Sequence, residues 1–451
     1  MGSMRIRLSD GGERLSSSPV VHGRMYDLRT HRLKLDIGPA TTVRETSGGE
    51  LMTNGTETKT KGALDGVRVL DLGRYQAGPR CGLMFARLGA DVIKVEALKG
   101  DESRTNGPRV RGQSAYWVQY NSGKRSLSIN LRTEEGKEVL RDLVKVSDVL
   151  IQNFRPGTIA KMGFGYEDLK KLNKGIVMVN VSAYGQYGPF KDRVGFDTIG
   201  QAMSGLMSLT GPPEGDPTVQ PFPLIDRITS LHATIGALGA LYERQFSGEG
   251  QAIDVCLADT GFTTCEIPLT AFLGAGIVPE RQGNGDGVAN SYKTTDGHVY
   301  LAGASSDNIF PRLADTIGRP EWKDDPRWQD RTGRAEDSGE IEAALIAWFG
   351  ERSMDEAEKT LNAASIPCAP VNDIPRAAMS EHLKEREVLV EVDDPVAGKI
   401  HVSGKIVKFS RSDVPVGSTP TIGQHNEEIV GDLLGKSADE IASLREAGVI
   451  G

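Results

Sequence analysis

The sequence predicts an α/β fold built on a doubly wound, mostly parallel sheet. Short runs that are almost wholly apolar, "DVIKVE", "DVLIQNF" and "GIVMVNV" among them, recur in the first half of the chain, as strands covered on both faces do. Stretches with helical spacing of apolar residues, such as "VLRDLVKV", fall between these runs. Helix and strand therefore alternate, the order that makes β-α-β crossovers in one parallel sheet.

Residues 1–60 are rich in Ser, Thr, Gly and charge and lack the apolar segment of a signal peptide. They read as a poorly ordered extension, although "RMYDLRTHRLKLDIG" has the makings of a strand. Val67, Val69 and Leu70 then open a short buried strand, followed by a Gly/Pro loop, a helix from about Arg80 to Leu88, and the strand "DVIKVE". "VLRDLVKVSDVLIQNF" and "LKKLNKGIVMVNVSAY" repeat the helix-then-strand order. After "PFPLID" a long helix puts Leu231, Ile235, Leu238 and Tyr242 on one face, carries Ala233, Gly236, Ala237, Gly239 and Ala240 for close backbone approach, and stops at Gly248. Beyond "GQAIDVCLADTGF" a Gly-rich loop leads into a hairpin, with helical stretches around Trp322 and Trp348, so a smaller α+β domain is expected near 285–366. "SIPCAPVND" reads as an extended linker, because Pro367 and Pro370 exclude helix. Two amphipathic helices divided near Gly435 close the chain.

At 451 residues the chain is long enough for two or three cores, and its net charge of −8 gives no global attraction to nucleic acid. No apolar run reaches the roughly 18 residues of a membrane helix. The four cysteines form no C-x-x-C pair and the seven histidines no H-E-x-x-H, so neither a disulfide framework nor a zinc site is indicated. A cytoplasmic protein with no membrane or nucleic-acid partner is the expectation.

Four features invite chemistry. Glu96 ends the second strand where an acid would hold a nucleotide ribose, but Gly73 and Gly78 are five apart and Pro79 follows, which is not G-x-G-x-x-G. "NSGKRS" is no P-loop either, with Val118 at the first glycine position and Arg125 where Ser or Thr belongs. Between Lys94 and Arg132 eight cations (Lys94, Lys99, Arg104, Arg109, Arg111, Lys124, Arg125, Arg132) face three acids, either as a solvated surface or as a site for a phosphate-rich small ligand. Asp226 opens the long helix. It reads either as an N-cap accepting backbone N–H bonds, or as a nucleophile kept ionised by the helix macrodipole.

"LDGVRVLDLGRYQAGPRCGLMFARLGADVIKVE", "NSGKRSLSINL", "SDVLIQNFRPGTIAKMGFGYEDL", the stretch from "GPPEGDP" through "PFPLIDRITSLHATIGALGALYERQ", "SIPCAPVND" and "GQHNEEIVGDLLG" occur in one order. From about Ala63 to the C-terminus the chain thereby resembles the class III coenzyme A transferases, the formyl-CoA and carnitine CoA-transferase (CaiB/BaiF) family. The resemblance implies a Rossmann-like large domain made from both ends of the chain (61–257 and, after a linker, 367–451), a linker at 258–284, and a small domain at 285–366. It also implies a homodimer of interlocked rings. Coenzyme A is then substrate and product, with no permanently bound cofactor and no metal. The partners are an acyl-CoA and a carboxylic acid, with a dicarboxylate among the options.

By the same resemblance Asp226 attacks the thioester, and Gln76 positions the reacting carbonyl or stabilises its oxyanion. Gly283, Gly285 and Gly287 form a covering loop. Contacts to coenzyme A fall to Gln76, Ala77, Asn130, Leu131, Arg132, Asn153, Phe154, Arg155, Lys161, Val194, Gly195, Phe196 and Asp197. Two departures stand out. Phe196 replaces the histidine that the racemase branch uses as a base, which disfavours racemisation. Ala97 replaces a basic residue found in some transferases, with Lys99 nearby as a substitute. An acyl-CoA racemase, an intramolecular CoA-transferring isomerase and a non-catalytic CoA-binding protein are the alternatives.

Overall fold

The apolar runs pair side by side. In the structure, a computed structural model that describes residues 61–285 and 288–451, six strands form one sheet, the four expected runs among them. These are β1 (Arg68–Asp71), β2 (Asp91–Glu96), β3 (Arg125–Ser128), β4 (Val149–Gln152), β5 (Val177–Ser182) and β6 (Ala252–Cys256). The spatial order is β3-β2-β1-β4-β5-β6, and every neighbouring pair is parallel. This is the doubly wound order whose direction reverses between β1 and β4, where the loops leaving the two strands part and open a crevice at the carboxyl edge. The expected N-terminal extension and its strand lie outside the described residues.

Alternation within each strand supplies two cores. Leu70, Ile93, Leu150 and Met178 point to one face, where they meet Leu140 and Leu143 of α3 and the C-terminal residues Ile429, Val430, Val449 and Ile450. Val69, Val92, Val149 and Val177 point to the other, against Phe85 of α1 and Ala233, Ala237 and Ala240 of α6. The helices that matter here are α1 (Ala77–Arg87), α2 (Ala115–Asn121), α3 (Glu134–Lys145), α4 (Tyr166–Leu172), α5 (Asp197–Met203) and α6 (Leu224–Ser247). Helix α1 begins three residues before the expected start, since Pro79 in its first turn forfeits no intrahelical hydrogen bond. The C-terminal stretch runs as a π-helical segment and an α-helix parted by Gly435 at φ 73°, and Asn130 N–H donates to the Val449 carbonyl at 2.8 Å.

Helix α6 packs by its small residues. Ala233 and Ala237 are fully buried, whereas Leu231, Ile235 and Tyr242, the large apolar face seen in the sequence, are 43%, 65% and 64% exposed. The sheet accepts only short side chains at this approach. Gly248 ends the helix at φ 72° and donates its N–H to the Arg244 carbonyl at 2.8 Å.

Two expected linkers carry regular structure. Residues 258–284 hold most of α7 (Leu257–Thr264) and all of α8 (Glu266–Ala275), the latter with no buried residue. Near "SIPCAPVND", β9 (Cys368–Pro370) pairs antiparallel with β8 (His298–Leu301), which in turn pairs with β7 (Asn290–Lys293). Proline is accommodated because β9 is an edge strand with one paired side. Tyr292, Phe310, Trp322, Trp328 and Phe349 fill a separate core beside this small sheet.

Candidate active site

The crevice at the β1/β4 switch point is a cleft of about 490 Å³. From the β1–α1 loop come Arg74, Tyr75, Gln76 and Ala77. The segment after β4 adds Asn153, Phe154 and Arg155, and the turn before α5 adds Arg193, Val194, Gly195 and Phe196. Asp226, in the first turn of α6, completes the wall. Asn130, Leu131, Arg132 and Lys161 do not line the cleft. Asn130 and Leu131 belong instead to the turn after β3 that meets the C-terminus.

The loop bearing Gln76 is held from several sides. Asn153 accepts from Arg74 N–H at 2.7 Å and donates to the Arg74 carbonyl at 2.8 Å, so its amide secures the loop. Gly73 and Gly78 pack backbone on backbone: a Cβ on Gly73 would lie 2.9 Å from Gly78. Close approach thus accounts for the glycines that the dinucleotide reading could not. Tyr75 takes a left-handed φ of 61°, which costs a non-glycine residue about 1–2 kcal/mol. Its ring stands edge-on to Phe196, 6.3 Å between centroids. Gln76 is 1% exposed; its Nε2 donates to the Pro223 carbonyl at 3.2 Å, and its Oε1 accepts from the Tyr116 hydroxyl at 3.4 Å.

Asp226 is not an N-cap. The cap position is Pro223, and the Asp226 side chain, three positions on, makes no capping hydrogen bond. Its own N–H donates to the Asp197 carboxylate at 2.8 Å, and Gln201 Nε2 donates to the other oxygen of Asp197 at 2.6 Å. Burial, with the Asp197 charge behind it, pushes the Asp226 carboxyl up to about 7. The expectation that the macrodipole holds it low is therefore corrected: a partly exposed carboxylate without donors loses more to desolvation than one helix end returns. Asp197 itself is 5% exposed and lies behind Asp226 rather than along the cleft.

Half of the basic cluster, Lys94, Arg104, Lys124 and Arg125, resolves into internal ion pairs, while Lys99, Arg109, Arg111 and Arg132 are exposed. Lys94 meets Asp101 at 2.9 Å, Lys124 meets Asp71 at 2.7 Å, and Arg125 meets Asp91 at 2.6 Å. Glu96, the candidate ribose acid, accepts from Arg104, Ser126 and the Asp101 N–H, and so has no capacity left for a ligand. Sequence reading missed this because Asp71 and Asp91 lie upstream of the cluster and reach it only through the sheet. Lys99 is exposed, and so are Arg155 and Arg193, which flank the cleft. Arg193, stacked 3.6 Å over Phe190, and Tyr116 carried no sequence signal of their own.

Gly283 and Gly285 line a second hollow of about 730 Å³ with Leu209–Pro213 and Gln220, not the Asp226 cleft. Gly287 lies outside the described residues.

Comparison with known proteins matches this geometry to one family. The model of CoA-transferase family III matches residues 64–426. Over 393 residues the chain is 37% identical to the succinyl-CoA–D-citramalate CoA-transferase of Chloroflexus aurantiacus, covering 86% of this chain and 98% of that protein. It is 32% identical over 415 residues to the formyl-CoA:oxalate CoA-transferase of Afipia carboxidovorans, covering 86% and 98% respectively. A crystal structure of a CaiB/BaiF family protein from Brucella suis superposes with a TM-score of 0.74 at 31% identity, covering 83% of this chain and all of that one. With the family model matched over most of its length and a parallel α/β sheet matching that of its structural neighbours, the chain belongs to CoA-transferase family III and is an enzyme that transfers coenzyme A.

Proposed function

We propose that the protein moves coenzyme A from an acyl-CoA to a free carboxylic acid with Asp226 as nucleophile. The observation that carries this is one carboxylate without hydrogen-bond donors, set in a cleft that Gln76, Arg155 and Arg193 also line. The two arginines suit the phosphates of coenzyme A, and the apolar floor suits its pantetheine arm.

Each step balances. Asp226 attacks the thioester carbonyl, the C–S bond breaks, and a mixed anhydride and CoA thiolate result. Thiolate attacks the aspartyl carbonyl of the anhydride, releasing the donor's carboxylate and leaving an aspartyl-CoA thioester. The acceptor carboxylate displaces thiolate from that thioester to give a second anhydride, and thiolate then attacks the acceptor carbonyl, regenerating Asp226. Gln76 spends one amide hydrogen on Pro223 and keeps the other for oxyanion charge. Phe196 offers no proton-transferring group, which favours transfer over racemisation.

Relatives named for succinyl-CoA, D-citramalate, formyl-CoA and oxalate make these compounds the first to try. The large apolar side chains left exposed on α6 and α8 support a homodimer. Trapping with hydroxylamine or borohydride during turnover of succinyl-CoA with a panel of acids should label position 226 by mass spectrometry. Turnover with no adduct there, or undiminished transfer by Asp226→Asn, would overturn the assignment.

A further inference from the structure

The first N–H groups of a helix have no partner within it. Asp226 stands three positions past the cap of α6, where a polar cap side chain would take its N–H, and the cap is Pro223, which has none to offer. The acceptor comes from a different helix. Asp226 N–H donates to Asp197 Oδ1 on α5 at 2.8 Å. Gly200 lets α5 come this close, since a Cβ there would lie 3.2 Å from the Ile225 side chain and 3.4 Å from that of Leu257.

Asp197 is held in turn. Gln201, four positions further along α5 and fully buried, donates from Nε2 to the other Asp197 oxygen at 2.6 Å. The far side of that amide sets its orientation: Oε1 accepts from Gln220 N–H at 2.9 Å, and Nε2 also donates to the Gln220 carbonyl at 3.4 Å. Turning the amide over would set N–H against N–H at Gln220 and oxygen against oxygen at Asp197. Gln220 lies three residues before Pro223, on the chain that enters α6. One buried carboxamide therefore joins the approach to α6, the acid of α5 and, through that acid, the backbone of Asp226.

We infer that Gln201 is a positioning residue for the nucleophile: acting through Asp197, it fixes the first turn of α6 and with it the direction in which the Asp226 carboxylate enters the cleft. The inference rests on the reading of Asp226 given above. Its weight comes from geometry, because a misplacement of about 1 Å at a reacting atom costs on the order of 100-fold in rate.

The test uses the full chain with succinyl-CoA and the acid to which it transfers best. Gln201→Met removes both polar ends at similar volume, Gln201→Glu sets two carboxylates face to face, and Asp197→Asn sets two amide donors face to face. Each should lower kcat by about 10- to 100-fold and leave KM for succinyl-CoA within about twofold, since neither residue lines the cleft. Asp197→Asn combined with Gln201→Glu restores the hydrogen bonds with donor and acceptor exchanged, and should recover most of the lost kcat. If Gln201→Met does not fold, the exchanged pair decides. Wild-type kcat in Gln201→Met, an exchanged pair no faster than either single variant, or losses of kcat that only follow a lowered Tm would overturn the positioning role and leave Asp226 as nucleophile. Undiminished transfer by Asp226→Asn would instead remove the nucleophile, and the positioning role with it.

Discussion

At the scale of the residue, Asp226 ties chemistry to pH. An aspartate ordinarily titrates at 3.8, and burial beside Asp197 carries Asp226 to about 7 in the fold. Between those values the folded chain retains a proton that the unfolded chain has lost, so this group lowers stability as pH rises from about 4 to about 7 and adds nothing further above that. Asp226→Asn abolishes the dependence. Its Tm should gain on the wild type between pH 5 and pH 8, as thermal denaturation at the two values will show. In the proposed reaction the ionised form is the nucleophile, so wild-type kcat/KM should climb about tenfold per unit below pH 7 and level off above it. A profile flat from pH 5 to pH 8 would separate Asp226 from the rate.

At the scale of the element, the β1–α1 loop depends on charges buried beneath it. Lys124 is fully buried on Asp71, the Pro79 carbonyl and Asn121, while Lys94 reaches Asp101 and the Gly73 carbonyl. Gly82 is required where α1 passes this cluster, since a Cβ there would lie 2.8 Å from the Asp71 carboxylate. Removing one partner strands the other. Lys124→Met should cost about 3–5 kcal/mol in denaturant unfolding, and adding Asp71→Asn should restore part of it. A double variant less stable than Lys124→Met would show that Asp71 acts through contacts other than this pair.

At the scale of the whole molecule, the proposed homodimer draws on exposed apolar surface. Ile267 and Leu273 on α8 are 77% and 80% exposed, and Phe246 at the end of α6 is 74% exposed. Large apolar side chains exposed to this degree, on a chain with no membrane-spanning helix among its described residues, suit association between proteins. Ile267→Asp with Leu273→Asp should shift the proposed dimer to monomer in light scattering coupled to size exclusion. A wild type that elutes as a monomer at micromolar concentration would remove the homodimer.

The sequence by itself determined four strands of the parallel sheet and the helices between them, because each signals itself locally through an apolar run or a helical period, whereas Arg125–Ser128 and Ala252–Cys256, with polar residues among the apolar ones, gave no such signal. It also placed Asp226 at the opening of α6 and Gln76 in the loop after β1, and the ordered motifs pointed to the right family. Tertiary structure decided which charges remain for a ligand. Lys94, Arg104, Lys124 and Arg125 look available along the chain, and the fold binds each to an acid, whereas Arg155 and Arg193 stay exposed at the cleft. It likewise turned the small face of α6 inward, made a strand of Cys368–Pro370, and raised the Asp226 carboxyl. Burial and ion pairing depend on segments far apart in the chain, so no local pattern encodes them.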